Sequence, residues 1–487
     1  MNEEIYALKP ERLWYYFGEI LKIPRPSKKE EKIAAYLLAF GDQQKLETLR
    51  DDIGNVIIRK PATPGKEKLK SVVLQSHIDM VCEKNADTEH DFDNDPIEAY
   101  IKDGWVTAKG TTLGADDGIG IAAQLAILES KDIEHGPIEC LFTVDEETGL
   151  TGAFGLDPKI LNSRILLNLD SEDDGQIFIG CAGGKDTVVE LPYTREDVPG
   201  NHKAYKISVT GLRGGHSGDD IQKGYGNANK ILNRLLWNAS KDFGLLLSDF
   251  SAGNLRNAIA REGFALVMVP EHNGDNFEAY VKDYNRMIKA EYHVTEPGLK
   301  VEYAIADKPE FLIDRATQEK LLNAVYACPH GVIAWSQDID DFVETSTNLA
   351  SVKRKEDHFL ITTSQRSSVE SAKEDVCAMV ASTFQLAGAR TMHTDGYPGW
   401  SPNPNSEIVD ISARVYEDLF STKPEVLAIH AGLECGLIGD KYPEMDMVSY
   451  GPDIKGAHSP DERINIETVE KFWDMTLEIL RRIPEEK

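Results

Sequence analysis

Short apolar runs of strand length, separated by helical stretches and followed by a carboxylate or a histidine, dominate residues 1–186, and few folds accommodate that rhythm. The runs are Asn55–Ile58, Ser71–Gln75, Pro137–Val144 and Ile165–Leu169. Pro10–Lys22, Ser27–Phe40 and Asp117–Ser130 carry helical spacing, the last with small and apolar residues facing a sheet. Ser27 followed by Glu30 reads as a capping box opening the second helix. Strand and helix in alternation predict an α/β domain with a mainly parallel sheet.

Open parallel sheets gather functional side chains beyond the carboxyl ends of their strands. There the sequence places His77 and Asp79, then Asp145, Glu146 and Glu147, then Asp170 and Glu172. Asp116 and Asp117 open the helix after TTLGADDG, and His458 lies in a loop before the last helix. Singly, each is an ordinary solvated or core residue. Together, two histidines and several carboxylates suit Zn²⁺, or Mn²⁺ or Co²⁺, better than Mg²⁺ or Ca²⁺, which prefer oxygen alone. Asp79, two residues beyond His77, is placed to accept the ring's other N–H.

From Cys181 onward the rhythm changes. Strands at Ala204–Thr210, Gly263–Val269, Lys300–Ile305 and His358–Ser364 mix with helices at Tyr225–Leu236 and Asn276–Glu291, the mark of α+β layers. The Pro/Gly/Asn-rich GYPGWSPNPN (Gly396–Asn405) ends that region, and a helix at Ile466–Ile483 ends the chain. The expected plan is a catalytic domain of residues 1–186 and 397–487, interrupted by an inserted α+β lid of residues 187–396 that binds substrate.

Composition narrows the function classes. With 53 Lys+Arg against 82 Asp+Glu, the net charge of −29 disfavours nucleic acid and anionic membranes as partners. Glu3 and Glu4 stand where an export signal carries basic residues, and no apolar run reaches membrane-spanning length. The six cysteines are dispersed, as expected of reduced thiols in a cytoplasmic protein.

SHIDMVCEKN, GTTLGADDGIG, TVDEETGLTGA, LNLDSEDDGQIFIGCAGG, GLRGGHSG and GPDIKGAHSPDER resemble, in order from about residue 8 to the end of the chain, the aminoacyl-histidine (Xaa-His) dipeptidases. These are di-zinc peptidases related to aminoacylase and carboxypeptidase G. The resemblance implies that His77, Asp116 and Asp170 bind one metal and Asp116, Glu147 and His458 another, with Asp116 bridging and the Asp116–Asp117 peptide cis. It makes Glu146 the general base, His216 the stabiliser of the developing oxyanion, and Arg366 and Asn257 substrate-binding residues. Ser76, Gln222 and Ala260 depart from residues common in that family.

The implied reaction is hydrolysis of a small peptide, preferentially Xaa-His and carnosine-like. Tripeptide cleavage, N-acyl amino acid deacylation and a catalytically silent metal-binding protein are the alternatives. An insert of about 200 residues is large enough for two similar lobes. That leaves a monomer and a homodimer both open.

Overall fold

The computed structural model describes residues 4–337, 339–403 and 405–486, so Glu3 and Pro404, which entered the reading above, lie outside the described residues. The chain divides into two compact units. Unit 1 comprises Met1–Gly180, Pro402–Ala428 and Leu433–Lys487; unit 2 comprises Cys181–Ser401 and Ile429–Gly432.

Unit 1 is built on an eight-stranded sheet. Its strands are β1 (Glu47–Arg50), β2 (Val56–Lys60), β3 (Val72–His77), β4 (Ile138–Thr143), β5 (Ile165–Asn168), β6 (Gln176–Cys181), β7 (Glu425–Ile429) and β8 (Asp446–Ser449), in the order β1-β2-β4-β3-β5-β8-β6-β7. The central run β4-β3-β5-β8 is parallel throughout. β1 pairs antiparallel with β2, β2 with β4 and β8 with β6, so the expected parallel centre carries antiparallel pairs around it. The reason is local: β1 and β2 are joined by a tight turn in which the Asp51 carboxylate accepts from the Ile53, Gly54 and Asn55 amides, and so short a link can only reverse the strand.

The longer helices of the unit are α1 (Glu11–Ile20), α2 (Glu31–Gln44), α3 (Ala115–Glu129), α4 (Glu407–Phe420), α5 (Glu434–Lys441) and α6 (Ile466–Arg482), with short turns of helix at Glu146–Gly149 and Thr151–Gly155. α3 is buried along nearly its whole length and packs on β3 and α1, which explains its uniformly small and apolar sequence. The capping box does not form. α2 starts at Glu31, the Ser27 hydroxyl donates to Asp79, and Glu30 accepts from the amides of Lys28 and Asp145. A four-stranded sheet of Ala99–Lys102, Trp105–Ala108, Ile454–Lys455 and Arg463–Asn465 holds the ends of the loop carrying His458.

Unit 2 has a nine-stranded sheet whose registered pairs are all antiparallel. It resolves into two lobes of the same β-α-β-β-α-β topology. One runs His202–Thr210, helix Ala228–Asp242, Leu246–Gly253, Gly263–Pro270, helix Gly274–Glu291, Lys300–Ile305. The other runs Gly183–Pro192, helix Arg315–Ala327, Val343–Arg354, His358–Ser367, helix Glu370–Leu386, Arg390–His393. They join where Ser251–Gly253 pairs with Ser351–Lys353, and they share one apolar core.

Candidate active site

The carboxyl ends of β3, β4 and β5 bring His77, Glu146, Glu147 and Asp170 together, as strand polarity demands. The N-terminus of α3 adds Asp116, and the loop after Ile454–Lys455 adds His458, whose φ is +62°. His77 Nε2 lies 3.0 Å from Asp116 Oδ1 and 3.3 Å from Asp170 Oδ1. His458 Nε2 lies 3.0 Å from Glu147 Oε2 and 3.3 Å from Asp116 Oδ2. Each oxygen of Asp116 therefore faces a different histidine, the disposition of a bridging ligand. The Asp116–Asp117 peptide is cis.

The electrostatics describe a site with surplus negative charge. Burial opposes a charged His77, yet Asp170, Asp116 and Asp79 hold its pKa well above the usual imidazole value. Hydrogen bonds to Asp116 and Glu147 raise His458 to about 11. Burial pushes Asp170 up to about 7, and burial with repulsion from Asp170 lifts Glu146 well above the carboxylate range. For Asp116 burial acts upward too, but the two histidines outweigh it and keep it far below that range. Glu147 Oε1 is buried with no hydrogen-bond partner among the described residues. Two histidine-carboxylate triads sharing one aspartate, with an orphaned carboxylate oxygen inside, fit a pair of divalent cations. Glu146 belongs to neither triad, although its carboxylate also falls within reach of His77 and Glu147.

Buried residues around the cluster orient it. Asp79 faces His77 Nδ1 at 3.3 Å and accepts from the Glu146 amide at 3.0 Å and the Glu147 amide at 3.2 Å, so one carboxylate sets an imidazole and both glutamates. Glu462 accepts from the consecutive amides of Leu113, Gly114 and Ala115 at 2.7, 2.9 and 2.7 Å, with Asp116 N at 3.3 Å. Arg25 donates from the other side to the carbonyls of Ile78, Asp79 and Gly114. Gly114, at φ +72°, must be glycine, because a Cβ there would lie 2.8 Å from the Arg25 guanidinium. Ser76 is buried and its hydroxyl accepts from Gln124.

Sequence reasoning singled out neither Glu462 nor Arg25. Glu462 sits inside GPDIKGAHSPDER, which was read only for His458, while a lone arginine between Pro24 and Pro26 carries no signal at all.

Unit 2 holds the other candidates. His216 Nδ1 lies 3.1 Å from Asp219 Oδ2, and its amide donates to Asp220 Oδ2 at 2.7 Å. Asn257 is exposed on the adjoining loop, where its carbonyl accepts from the Ser217 amide at 2.8 Å. Arg366 is buried near the end of His358–Ser367; its Nη1 donates to the Tyr397 hydroxyl at 3.1 Å and its Nε has no partner among the described residues. No helix among the described residues is long and apolar enough to cross a membrane.

Residues 73–482 match the model of peptidase family M20/M25/M40. The chain is 45% identical over 484 residues to the cytosol non-specific dipeptidase of Escherichia coli K12, covering 99% of both chains. It is similar to the crystal structure of aminoacylhistidine dipeptidase from Vibrio alginolyticus, with TM-score 0.93, 45% identity and coverage of 100% and 99%. A tripeptidase from Staphylococcus aureus shares the fold at TM-score 0.58 and 17% identity, with coverage of 98% and 99%. The chain belongs to peptidase family M20/M25/M40, whose members are hydrolases acting on peptide bonds.

Proposed function

We propose that this protein is a cytoplasmic di-metal dipeptidase that cleaves dipeptides with a free amino terminus and a free carboxylate, preferring Xaa-His. The observation that carries the reading is the pair of triads sharing Asp116, with Glu146 beside them. The names of both 45% identical relatives, dipeptidases of cytosolic non-specific and aminoacylhistidine type, support it.

His77, Asp116 and Asp170 would hold one ion and Asp116, Glu147 and His458 the other, the mixed nitrogen and oxygen donors suiting Zn²⁺, or Mn²⁺ or Co²⁺, better than Mg²⁺ or Ca²⁺. Bound there, the two ions would lower the pKa of a water and polarise the scissile carbonyl. Glu146 takes the attacking water's proton and passes it to the leaving amine. Asp79 keeps the His77 ring and the Glu146 and Glu147 backbone in place during that transfer. His216 stabilises the developing oxyanion, Arg366 receives the substrate's terminal carboxylate as a fork, and Asn257 adds a hydrogen bond.

Glu146→Gln tests the base assignment. It should retain metal and lose hydrolysis by about 100- to 10,000-fold; wild-type turnover would discard it. A panel of Xaa-His and other dipeptides, tripeptides and N-acetyl amino acids, with and without chelator, separates the dipeptidase reading from tripeptidase or deacylase activity. Absence of turnover on every substrate would favour a silent metal-binding protein.

A further inference from the structure

Beneath the metal-binding residues of unit 1 runs a row of buried polar side chains that the reaction above does not use. Gln75 and Asn168 precede His77 and Asp170 by two residues each, so by strand alternation each shares a sheet face with its ligand. Gln75 and Asn168 are register partners across β3 and β5, and Asn168 and Ser449 across β5 and β8. Thr143 is the register partner of His77 across β4 and β3.

Their side chains form one connected chain of hydrogen bonds. Gln75 Nε2 donates to Glu434 Oε2 at 2.6 Å, and Thr143 Oγ1 donates to the same oxygen at 2.7 Å. Asn168 Nδ2 donates to Gln75 Oε1 at 2.6 Å, and the Ser449 hydroxyl donates to Asn168 Oδ1. With the Ser449 proton so committed, the Ser171 hydroxyl donates to Ser449 Oγ at 2.6 Å, which closes the row on the neighbour of Asp170. Gln75, Thr143, Asn168, Ser449 and Glu434 are all fully buried. All donors but one are side chains of strands or strand ends; the acceptor at the end of the row, Glu434, is the first residue of α5.

Apolar residues would fill this space at lower desolvation cost, since buried polar groups stabilise only when their partners are complete. The gain is directional. Hydrogen bonds tie β4, at the level of His77, to β3, β5 and β8 one residue row below the ligands, where apolar contacts permit sliding by fractions of an ångström. From this we infer that Glu434 is a positioning residue that, as terminal acceptor of the Thr143–Gln75–Asn168–Ser449–Ser171 row, holds the strand ends bearing His77, Asp170 and Glu147 in metal-binding register.

The inference rests on the di-metal reading, and its test separates the two. Glu434→Leu removes the short bonds of both donors and leaves only the longer ones, Gln75 Nε2 to Thr143 Oγ1 at 3.2 Å and Thr143 Oγ1 to the Ser76 carbonyl at 3.3 Å, whereas Glu434→Gln retains an acceptor oxygen. Zn²⁺ affinity by calorimetry and kcat and KM on a dipeptide are measured for both, with a urea midpoint for each variant. Glu434→Leu should lose about 10- to 100-fold in Zn²⁺ affinity and in kcat with KM changed less than about threefold, and Glu434→Gln should stay within about threefold of wild type. Thr143→Val, which keeps shape and removes one donor, serves if Glu434→Leu does not fold, and should show a smaller loss of the same kind. Wild-type Zn²⁺ affinity in Glu434→Leu, or in Thr143→Val where that stands in, overturns the inference, as does equal loss in Glu434→Gln and Glu434→Leu. A wild-type protein that binds two Zn²⁺ but hydrolyses no peptide would instead overturn the dipeptidase reading and leave the affinity comparison decisive for Glu434.

Discussion

Asp79 and Glu462 act on the site without belonging to its ligand triads. Each receives several donors at once, so each converts a single buried charge into the alignment of backbone that a flexible loop would not hold unaided. Removing Glu462 strands three short amide bonds at the start of α3. Glu462→Ala should lower unfolding stability by about 3 kcal/mol and Zn²⁺ affinity by about 10- to 100-fold, measured by urea denaturation and calorimetry. At Arg366 the planar fork, rather than the charge alone, is proposed to recognise the substrate. Arg366→Lys should raise KM for a dipeptide about tenfold with little change in kcat, and the corresponding dipeptide amide should show no such rise. Equal effects on both substrates would remove Arg366 from carboxylate recognition.

Elements were legible in proportion to how far their patterning is local. β3, β4 and β5 and helices α1, α3 and α6 begin and end within a few residues of the runs that announce them, because burial on both faces writes a near-continuous apolar stretch. The capping box at Ser27 failed for a non-local reason: Asp79, 52 residues away, competes for the Ser27 hydroxyl, and the Asp145 amide for Glu30. The antiparallel pairs of the unit 1 sheet were likewise hidden, since apolar strand runs do not state direction. Glu139 on β4 illustrates how such strands anchor loops. Burial raises its pKa, but the Ser163 amide and hydroxyl, Arg59 and the Asn162 amide prevail and leave it below the usual carboxylate value. A depressed carboxylate stabilises the fold above its unfolded pKa of about 4.3, and that contribution disappears as pH falls through the lower folded value. Glu139→Gln should therefore be less stable than wild type at pH 7, with the gap closing below about pH 4 in urea midpoints. A gap independent of pH would assign the effect to shape alone.

At the scale of the whole molecule, every residue of the two candidate metal triads lies in unit 1, while His216, Asn257 and Arg366 lie in unit 2. Ligand that binds only the folded state stabilises the part that binds it. Hydrogen exchange with and without Zn²⁺ should show added protection at the ends of β3, β4 and β5 and none in the unit 2 sheet; uniform protection would contradict this division. The surplus of 82 acidic over 53 basic residues plays no part in that contrast. Asp79, Asp116, Glu146, Glu147 and Asp170 are a small share of it, and their value lies in placement.

The sequence by itself determined which strands would end in candidate metal-binding side chains and in what order, because strand length, polarity and the residue that follows are local properties of the chain. The division of labour proposed for Glu146 and Glu147 comes from family resemblance alone. The two-lobed sheet of unit 2, the Glu462 cradle and the Glu434 row were decided only by tertiary structure. Each joins residues that are distant in sequence, from 93 between Gln75 and Asn168 to 359 between Gln75 and Glu434, and a hydrogen bond across such a gap leaves no periodic trace in either partner. His77, Glu147 and Asp170 could be read because each follows its own strand; the groups that hold them still could not, because their partners arrive only when the chain has folded.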